Sequence, residues 1–347
     1  MRVHYHLSDY VSHRRAGLAY MACLRRLGHE LTEDPARCEV VVIHEAPHHY
    51  PRILQALPLR PGTRRVGYAV WETPQLPAAF LPGLALVDAV WTCSEFSRRA
   101  FAPHIPAFVL PQVVERPRIS PSSLRRMADR LGVPPDASGP RRDFLFYSII
   151  DSVNPRKNLL ALLAAFTTAF PGPGGDVRLV LKQYREPQDL SGIPHVCSIP
   201  ETLDDEEIGA LHALCDAYVS AHHAEAWGLP LSEAMSFGNP VIATGYSGNM
   251  EFMNESNSFP VPYAIAPVSE AMCGALPMLV NRTMTWADVD IPSLVRTLRR
   301  VRRQPWGRED RGRVAASMAR FAPEAVAARL QSLLDSLMAG SPPAAAS

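Results

Sequence analysis

AYVSAHHAEAWGLPLSEAMSFGNPVIATGYSGNMEFM, residues Ala217–Met253, opens with an apolar run of strand character and continues through Gly228-Leu229-Pro230 into a helix-like segment. Pro230 suits a first helical position, where its missing N–H is not needed. Leu231, Ala234, Met235 and Phe237 follow near helical spacing. A strand, a glycine turn and a helix start make a site for an anion, because free N–H groups and the helix dipole point at it. Glu225 precedes that turn and Glu233 lies just inside the helix, seven residues between them, so both are expected to face one cleft. A buried carboxylate without a cation is costly. Two acceptors beside an anion site therefore imply hydroxyl partners, a sugar and a ribose.

That stretch closely resembles the E-x7-E motif of retaining glycosyltransferases with the GT-B fold, glycosyltransferase family 4. The resemblance implies that Glu225 contacts hydroxyls of a donor sugar and Glu233 the ribose of its nucleotide. Thr244-Gly245-Tyr246-Ser247-Gly248-Asn249-Met250-Glu251-Phe252 is similar to the family's second glycine-containing turn. The likeness runs from about Tyr68 to Phe321 and is strongest from Phe144 to Pro262. It implies an α/β chain with two Rossmann-like domains whose parallel sheets face across a cleft.

Lysine usage adds an independent signal. Of 35 lysines and arginines, only Lys157 and Lys182 are lysines. A chain so biased towards arginine keeps lysine where a compact ammonium must fit, as against phosphate oxygens. Arg156 and Lys157 precede the apolar helix-like run LLALLAAFTTAF, and two cations there oppose the helix dipole unless an anion binds. Lys182 ends the apolar strand Val177–Leu181, where carboxyl ends of parallel strands open into a ligand crevice. Both lysines match positions at which the resembled family binds phosphate. Surface lysines without a role are the rival reading.

Length and composition permit this architecture: 347 residues suit two domains. An apolar share of 47% against 20% charged fits a soluble globular chain, and a net charge of +1 gives no nucleic-acid footprint. The six cysteines lack paired metal-ligand spacing and read as core residues in a reducing compartment. The start MRVHYHLSDY lacks the pattern of a signal peptide, and no stretch has the length of a membrane span. The expectation is a cytoplasmic protein. Abundant arginine, alanine and proline suggest a bacterial, GC-rich source.

Strand-like and helix-like segments alternate. In the first domain they are Arg2–Leu7, a helix Arg15–Leu27, then Glu39–Ile43, Arg65–Val70, Asp88–Thr92 with Ser94 as a helix cap, and Ala107–Leu110. The expected domains are 1–115 and 116–322, with a short helix around Ser123–Leu131 and a sheet starting at Phe144–Ile149. A last helix, about 323–338, is expected to pack back on the first domain, as in the resembled fold. The tail 339–347, rich in Ala, Pro, Ser and Gly, reads as disordered.

In the first domain the loop Ser12–Gly17 offers Gly17 for a close backbone approach to the donor phosphates and Arg15 for an anion. A small residue inside a helix start is the rival for Gly17, and plain solvation the rival for Arg15. Trp71-Glu72 stands at a strand end where many relatives have a sugar-contacting histidine, so Glu72 is the expected replacement. A structural hydrogen bond is its rival. His222 and His223 precede Glu225, one of them expected near the sugar, and the indole of Trp227 after it is expected to reshape the sugar pocket. A metal held by His222, His223 and Glu225 is not expected, since the resembled enzymes need none. Where many relatives have a phosphate-binding arginine this chain has Ser152, and Arg156 is expected to compensate.

The resemblance implies transfer from a nucleoside-diphosphate sugar to a hydroxyl acceptor, glycan or lipid-linked, in surface polysaccharide or glycoconjugate synthesis. Lys157, Arg156 or Lys182 would neutralise the leaving diphosphate with the amides of Gly228–Leu231. No further cofactor is implied. A nucleotide-sugar epimerase and a catalytically silent nucleotide-sugar-binding protein are the alternatives. Arg296–Arg313 carries eight arginines, interrupted by Glu309 and Asp310. It reads as a solvated stretch, with peripheral contact to an anionic membrane as the alternative.

Overall fold

The computed structural model describes residues 1–135, 143–172 and 176–340, and for Val11 and Ser12 the backbone alone. Two compact units emerge. One comprises Met1–Val114, Leu276–Thr285 and the chain from Ala319 onwards; the other, Glu115–Ala275 and Trp286–Met318. Leu276–Thr285, read from sequence as part of the second domain, thus belongs to the first unit. Thr285 N–H donates there to Gln75 Oε1 at 3.1 Å.

The first unit runs β1 (Arg2–Leu7), α1 (Val11–Arg26), β2 (Glu30–Leu31), β3 (Val40–His44), α2 (Tyr50–Ala56), β4 (Arg64–Tyr68), α3 (Leu81–Leu84), β5 (Ala89–Thr92), α4 (Glu95–Phe101) and β6 (Ala107–Val109). Its sheet has the order β2-β1-β3-β4-β5-β6, with every pair parallel. Val40–Ile43 is wholly buried, as the unbroken apolar run of a central parallel strand requires. Ser94 caps α4, its Oγ accepting from Ser97 N–H at 3.2 Å. Helix α1 begins four residues before the expected Arg15.

The second unit begins with α5 (Pro121–Leu131), β7 (Phe144–Asp151), α6 (Leu159–Ala169), β8 (Val177–Tyr184), β9 (Val196–Ile199) and α7 (Asp205–Leu214). It continues with β10 (Ala217–Ser220), α8 (Leu229–Ser236), β11 (Val241–Thr244), β12 (Phe259–Val261), β13 (Tyr263–Pro267), α9 (Glu270–Ala275), β14 (Thr285–Val289), α10 (Ile291–Arg303) and α11 (Arg308–Ser317). The large sheet has the order β12-β11-β10-β7-β8-β9, again parallel throughout. Leu162, Leu163 and Phe166 of α6 and Leu294, Leu298 and Val301 of α10 pack with Phe146, Leu179 and Val219 of the strands. The strand order reverses direction between β7 and β10, which makes the carboxyl ends of those two strands the expected ligand crevice.

Helix α12 (Pro323–Ala339) returns to the first unit. Arg329 Nε donates to Val109 O at 3.1 Å, and His29 Nε2 pairs with Gln331 Oε1 at 2.9 Å. Gly340 ends the helix at φ +66°. Residues 341–347 of the expected disordered tail lie outside the described residues. Among the described residues no helix is long and apolar enough to cross a membrane.

Several arginines of α10 and α11 make contacts within their own unit. Arg299 donates to the last carbonyls of α6, Ala169 O at 3.0 Å and Thr168 O at 2.8 Å, where the helix dipole favours a cation. Arg302 pairs with Asp176, and Arg300 lies over the Phe259 ring.

Candidate functional site

The loops after β7 and β10 meet at the reversal of strand order in the second unit. After β7, Asn154 starts a single turn, Pro155–Lys157, its Oδ1 accepting from Arg156 N–H at 3.1 Å. Asn158 follows in the left-handed region at φ +54°, a conformation asparagine tolerates, and α6 begins at Leu159. After β10, the chain passes His222 and Glu225 to Gly228, whose φ of +92° favours glycine, and enters α8. Pro230 stands at the second helical position, one later than its spacing suggested.

Glu225 joins the two loops. Its carboxylate accepts from Lys157 Nζ at 2.5 Å and from Arg156 Nη1 at 3.0 Å. Arg156 also donates to Ala224 O at 2.6 Å. Burial alone would raise the Glu225 carboxyl, but Lys157, Arg156 and His222 outweigh it and hold the group well below the usual carboxylate range. The sequence argument that this carboxylate lacks a cation is therefore corrected. The chain supplies two, and Glu225 in turn offsets the charge of Arg156 and Lys157 ahead of α6.

The second glycine turn clamps Glu225 from behind. Its N–H donates to Ser247 Oγ at 2.8 Å, and Gly248 N–H donates back to Glu225 O at 2.8 Å. A Cβ on Gly248 would stand 1.8 Å from Ala226 O, so only glycine allows this approach. Ser247 holds φ +74°, a strained value for serine, at the same contact. The motif containing Ser247 was visible in the sequence; its use as a clamp was not.

His222 is fully buried and sits in the same network. Asn249 Nδ2 donates to Thr244 O at 3.0 Å, which turns Asn249 Oδ1 towards His222 Nε2 at 3.1 Å. The ring thus donates from Nε2 and accepts from Ser220 Oγ at Nδ1, 2.9 Å away. Burial lowers His222 to about 4, with the pull of Glu225 only partly opposing it. His223 stacks on Trp286 at 4.0 Å, and its Nδ1 lies 2.8 Å from Ala287 O. Trp227 is 2% exposed, its indole N–H on Ser232 Oγ at 3.0 Å and its ring against Phe252, so packing accounts for the indole. Of the three, His222 lies in the Glu225 network, while His223 and Trp227 pack against Trp286 and Phe252.

Glu233 lies on α8, 6% exposed, its carboxylate 3.7 Å from His212 Nε2 of α7. At the start of α8, Leu231 N–H is taken up by Gly228 O at 3.0 Å and Pro230 has none, which leaves fewer amides for an anion than Gly228–Leu231 implied.

Lys182 falls two residues before the end of β8 and is 1% exposed. Its ammonium donates to Gln183 O and stands 3.9 Å from the Tyr184 ring centroid. Burial lowers it to about 8, against the opposing pull of Glu201. Ser152, the departure from the family's arginine, hydrogen-bonds Gln183 Oε1 at 2.5 Å.

In the first unit the candidates divide. Gly17 sits inside α1, not in a loop, and a Cβ there would meet Leu7 Cδ1 at 2.2 Å and His44 Nδ1 at 3.0 Å. Its close approach is to the sheet, which corrects the phosphate-loop expectation. Trp71 is buried, with its indole N–H on Thr73 Oγ1 and Gln75 O, both at 2.7 Å. Glu72 is half-buried, and its charge reaches the His13 ring. Arg15 is exposed on α1. Among the described residues no group of three or more His, Cys, Asp or Glu is placed to hold a metal.

Residues 175–264, the stretch containing Lys182, both glutamates and the Ser247–Gly248 turn, match the family Glycosyl transferases group 1. No curated protein matches the chain by sequence. Among solved structures, sucrose-phosphate synthase of Thermosynechococcus elongatus superposes with a TM-score of 0.62 at 16% identity, over 96% of this chain and 80% of that one. The Anabaena protein HepE, solved with UDP and glucose, gives 0.58 at 13% identity over 96% and 99%. The UDP-forming α,α-trehalose-phosphate synthase of Burkholderia vietnamiensis gives 0.55 at 12% identity over 94% and 76%. These likenesses and the two doubly wound parallel sheets give the chain the GT-B fold, and its segment 175–264 matches the group 1 glycosyltransferases.

Proposed function

We propose that this chain is a retaining, metal-independent glycosyltransferase of family 4 that transfers a sugar from a nucleoside diphosphate to a hydroxyl acceptor. The observation that carries the reading is the Glu225 carboxylate held by Lys157 and Arg156 at the reversal of strand order. Two cations paired with one carboxylate leave a local excess of positive charge, so the site retains attraction for a diphosphate. When the anomeric C–O bond breaks, the leaving phosphate gains charge that Lys157 and Arg156 stabilise, with the Gly228 and Leu229 amides beside them. The acceptor oxygen bonds the anomeric carbon on the same face, and its proton passes to the leaving phosphate. Glu225 orients the donor sugar and Glu233 the ribose. Lys182 is assigned a second phosphate contact, which would relieve its buried charge. Among first-unit groups, Glu72 is assigned to the acceptor side.

A UDP sugar is the favoured donor, since HepE was solved with UDP-glucose and the trehalose-phosphate synthase is UDP-forming. A lipid-linked or glycan acceptor in surface-polysaccharide synthesis and a cytoplasmic place are parts of the same proposal. Calorimetric titration with UDP- and GDP-sugars, with and without EDTA, tests it. One donor bound regardless of EDTA, and lost in both Glu233→Ala and Lys157→Ala, supports the reading. Indifference to both substitutions would remove it. Binding without transfer or donor hydrolysis would favour the silent binding protein.

A further inference from the structure

Behind Glu233 runs a buried polar chain whose direction is set at its far end. The Arg311 guanidinium can only donate, and it donates to Asn239 Oδ1 at 2.7 Å. Asn239 must then present Nδ2, which donates to His212 O at 2.7 Å and to Tyr147 Oη at 2.9 Å. Burial pushes the Tyr147 hydroxyl well above its ordinary value, so it keeps its proton. With Asn239 donating to that oxygen, the proton goes to His212 Nδ1, 2.7 Å away. A neutral imidazole accepting at Nδ1 carries its hydrogen on Nε2. That N–H is buried without a hydrogen-bond partner, and the Glu233 carboxylate stands 3.7 Å in front of it. His212 is 1% exposed and its ring stacks on Phe237, so the imidazole is fixed while the carboxylate sits on a flexible stem.

We propose that His212 is the positioning residue of Glu233, its Nε2–H closing on one carboxylate oxygen and turning the other towards ribose hydroxyls. The ribose half rests on the nucleotide-sugar reading above; the direction of the chain does not. A small rotation of Glu233 completes the bond, and leaving a buried donor unmade is unfavourable enough to drive it. Arg311 thereby influences the site without touching a ligand, through Asn239, Tyr147 and His212.

Two measurements test this. Nitrogen chemical shifts of His212 in the ligand-free protein should show the neutral Nε2–H form, and Tyr147→Phe should remove that preference. A neutral Nδ1–H ring or a doubly protonated one in the wild type overturns the chain. UDP affinity should fall roughly ten- to a hundredfold in His212→Leu, the range of a hydrogen bond to a charged group. It should largely recover in His212→Gln, which keeps an N–H near the Nε2 position. Inorganic pyrophosphate, which has no ribose, should bind His212→Leu as it binds the wild type. Equal UDP affinity in wild type and His212→Leu, or an equal loss of pyrophosphate, overturns the positioning role. A wild type that binds pyrophosphate but neither UDP nor GDP overturns the nucleotide reading and the ribose half, while the nitrogen shifts still decide the direction of the chain.

Discussion

Lys157 and Glu225, 68 residues apart, form an ion pair at 2.5 Å across the reversal point of the second sheet. With Arg156 on the same carboxylate, Glu225 is both a ligand candidate and the counter-charge of the phosphate candidates. A diphosphate and Glu225 therefore compete for the same cations.

Glu225→Gln should weaken donor-sugar turnover strongly yet bind inorganic pyrophosphate more tightly than the wild type. Neutralising Glu225 takes the shared carboxylate charge from two half-buried cations, at about 3–5 kcal/mol in stability. Thermal shift with and without pyrophosphate measures both effects. A smaller pyrophosphate shift in Glu225→Gln than in the wild type would contradict the competition.

Glu225 also predicts an acid limit. Its folded value lies below its unfolded one, near 4.5, so its contribution is present above that pH and is lost as pH falls towards the folded value. His222 adds to the same trend. Lowered from 6.5 to about 4, it binds fewer protons folded than unfolded between those values. Stability should therefore rise with pH across that window, by at most about 1.4 kcal/mol per unit from this group. Urea midpoints from pH 4 to 7 should show a shallower slope in His222→Gln; an unchanged slope rules out a neutral buried ring.

Lys182→Met should stabilise the protein at pH 7 by about 1–3 kcal/mol, since it removes a desolvated ammonium. The same change should weaken pyrophosphate binding. In the wild type stability should rise between pH 8 and 10.5, where only the unfolded lysine still holds its proton. Denaturant titration and calorimetry on one preparation read both. Loss of stability together with unchanged pyrophosphate affinity would give Lys182 a structural role only.

Gly248→Ala should cost about 2–4 kcal/mol and abolish nucleotide binding, because the new methyl group collides with the carbonyls that place Glu225. Gly274→Ala is the control: it lies in α9 with nothing within 4 Å, and alanine is the better helix former there. Thermal melts of the two variants should move in opposite directions.

Much of the architecture was legible in residue pattern. Arg2–Leu7 reads as a strand by itself, and Phe144–Ile149 signals the start of a sheet buried on both faces. The edge strand Glu30–Leu31 has only two residues, and α3 has four, too few for a period to register. Gly17 misled because a glycine needed for helix–sheet contact and one needed for a phosphate loop look alike in a sequence. For Trp227 and Trp71, an indole beside a candidate glutamate gives no sign in the sequence of whether its N–H already has a partner.

By itself the sequence determined that α/β elements alternate, that Glu225 and Glu233 flank a glycine turn entering a helix, and that two lysines survive among many arginines. Those are local properties, set by propensity, spacing and the chemistry of single side chains. Only the tertiary structure decided that Glu225 pairs with Arg156 and Lys157, that Ser247 and Gly248 clamp it, and that His212 stands behind Glu233. Each of these contacts joins residues from different elements. The strand order brings β7 beside β10, and burial then forces the charged and polar groups at their ends to find one another rather than water.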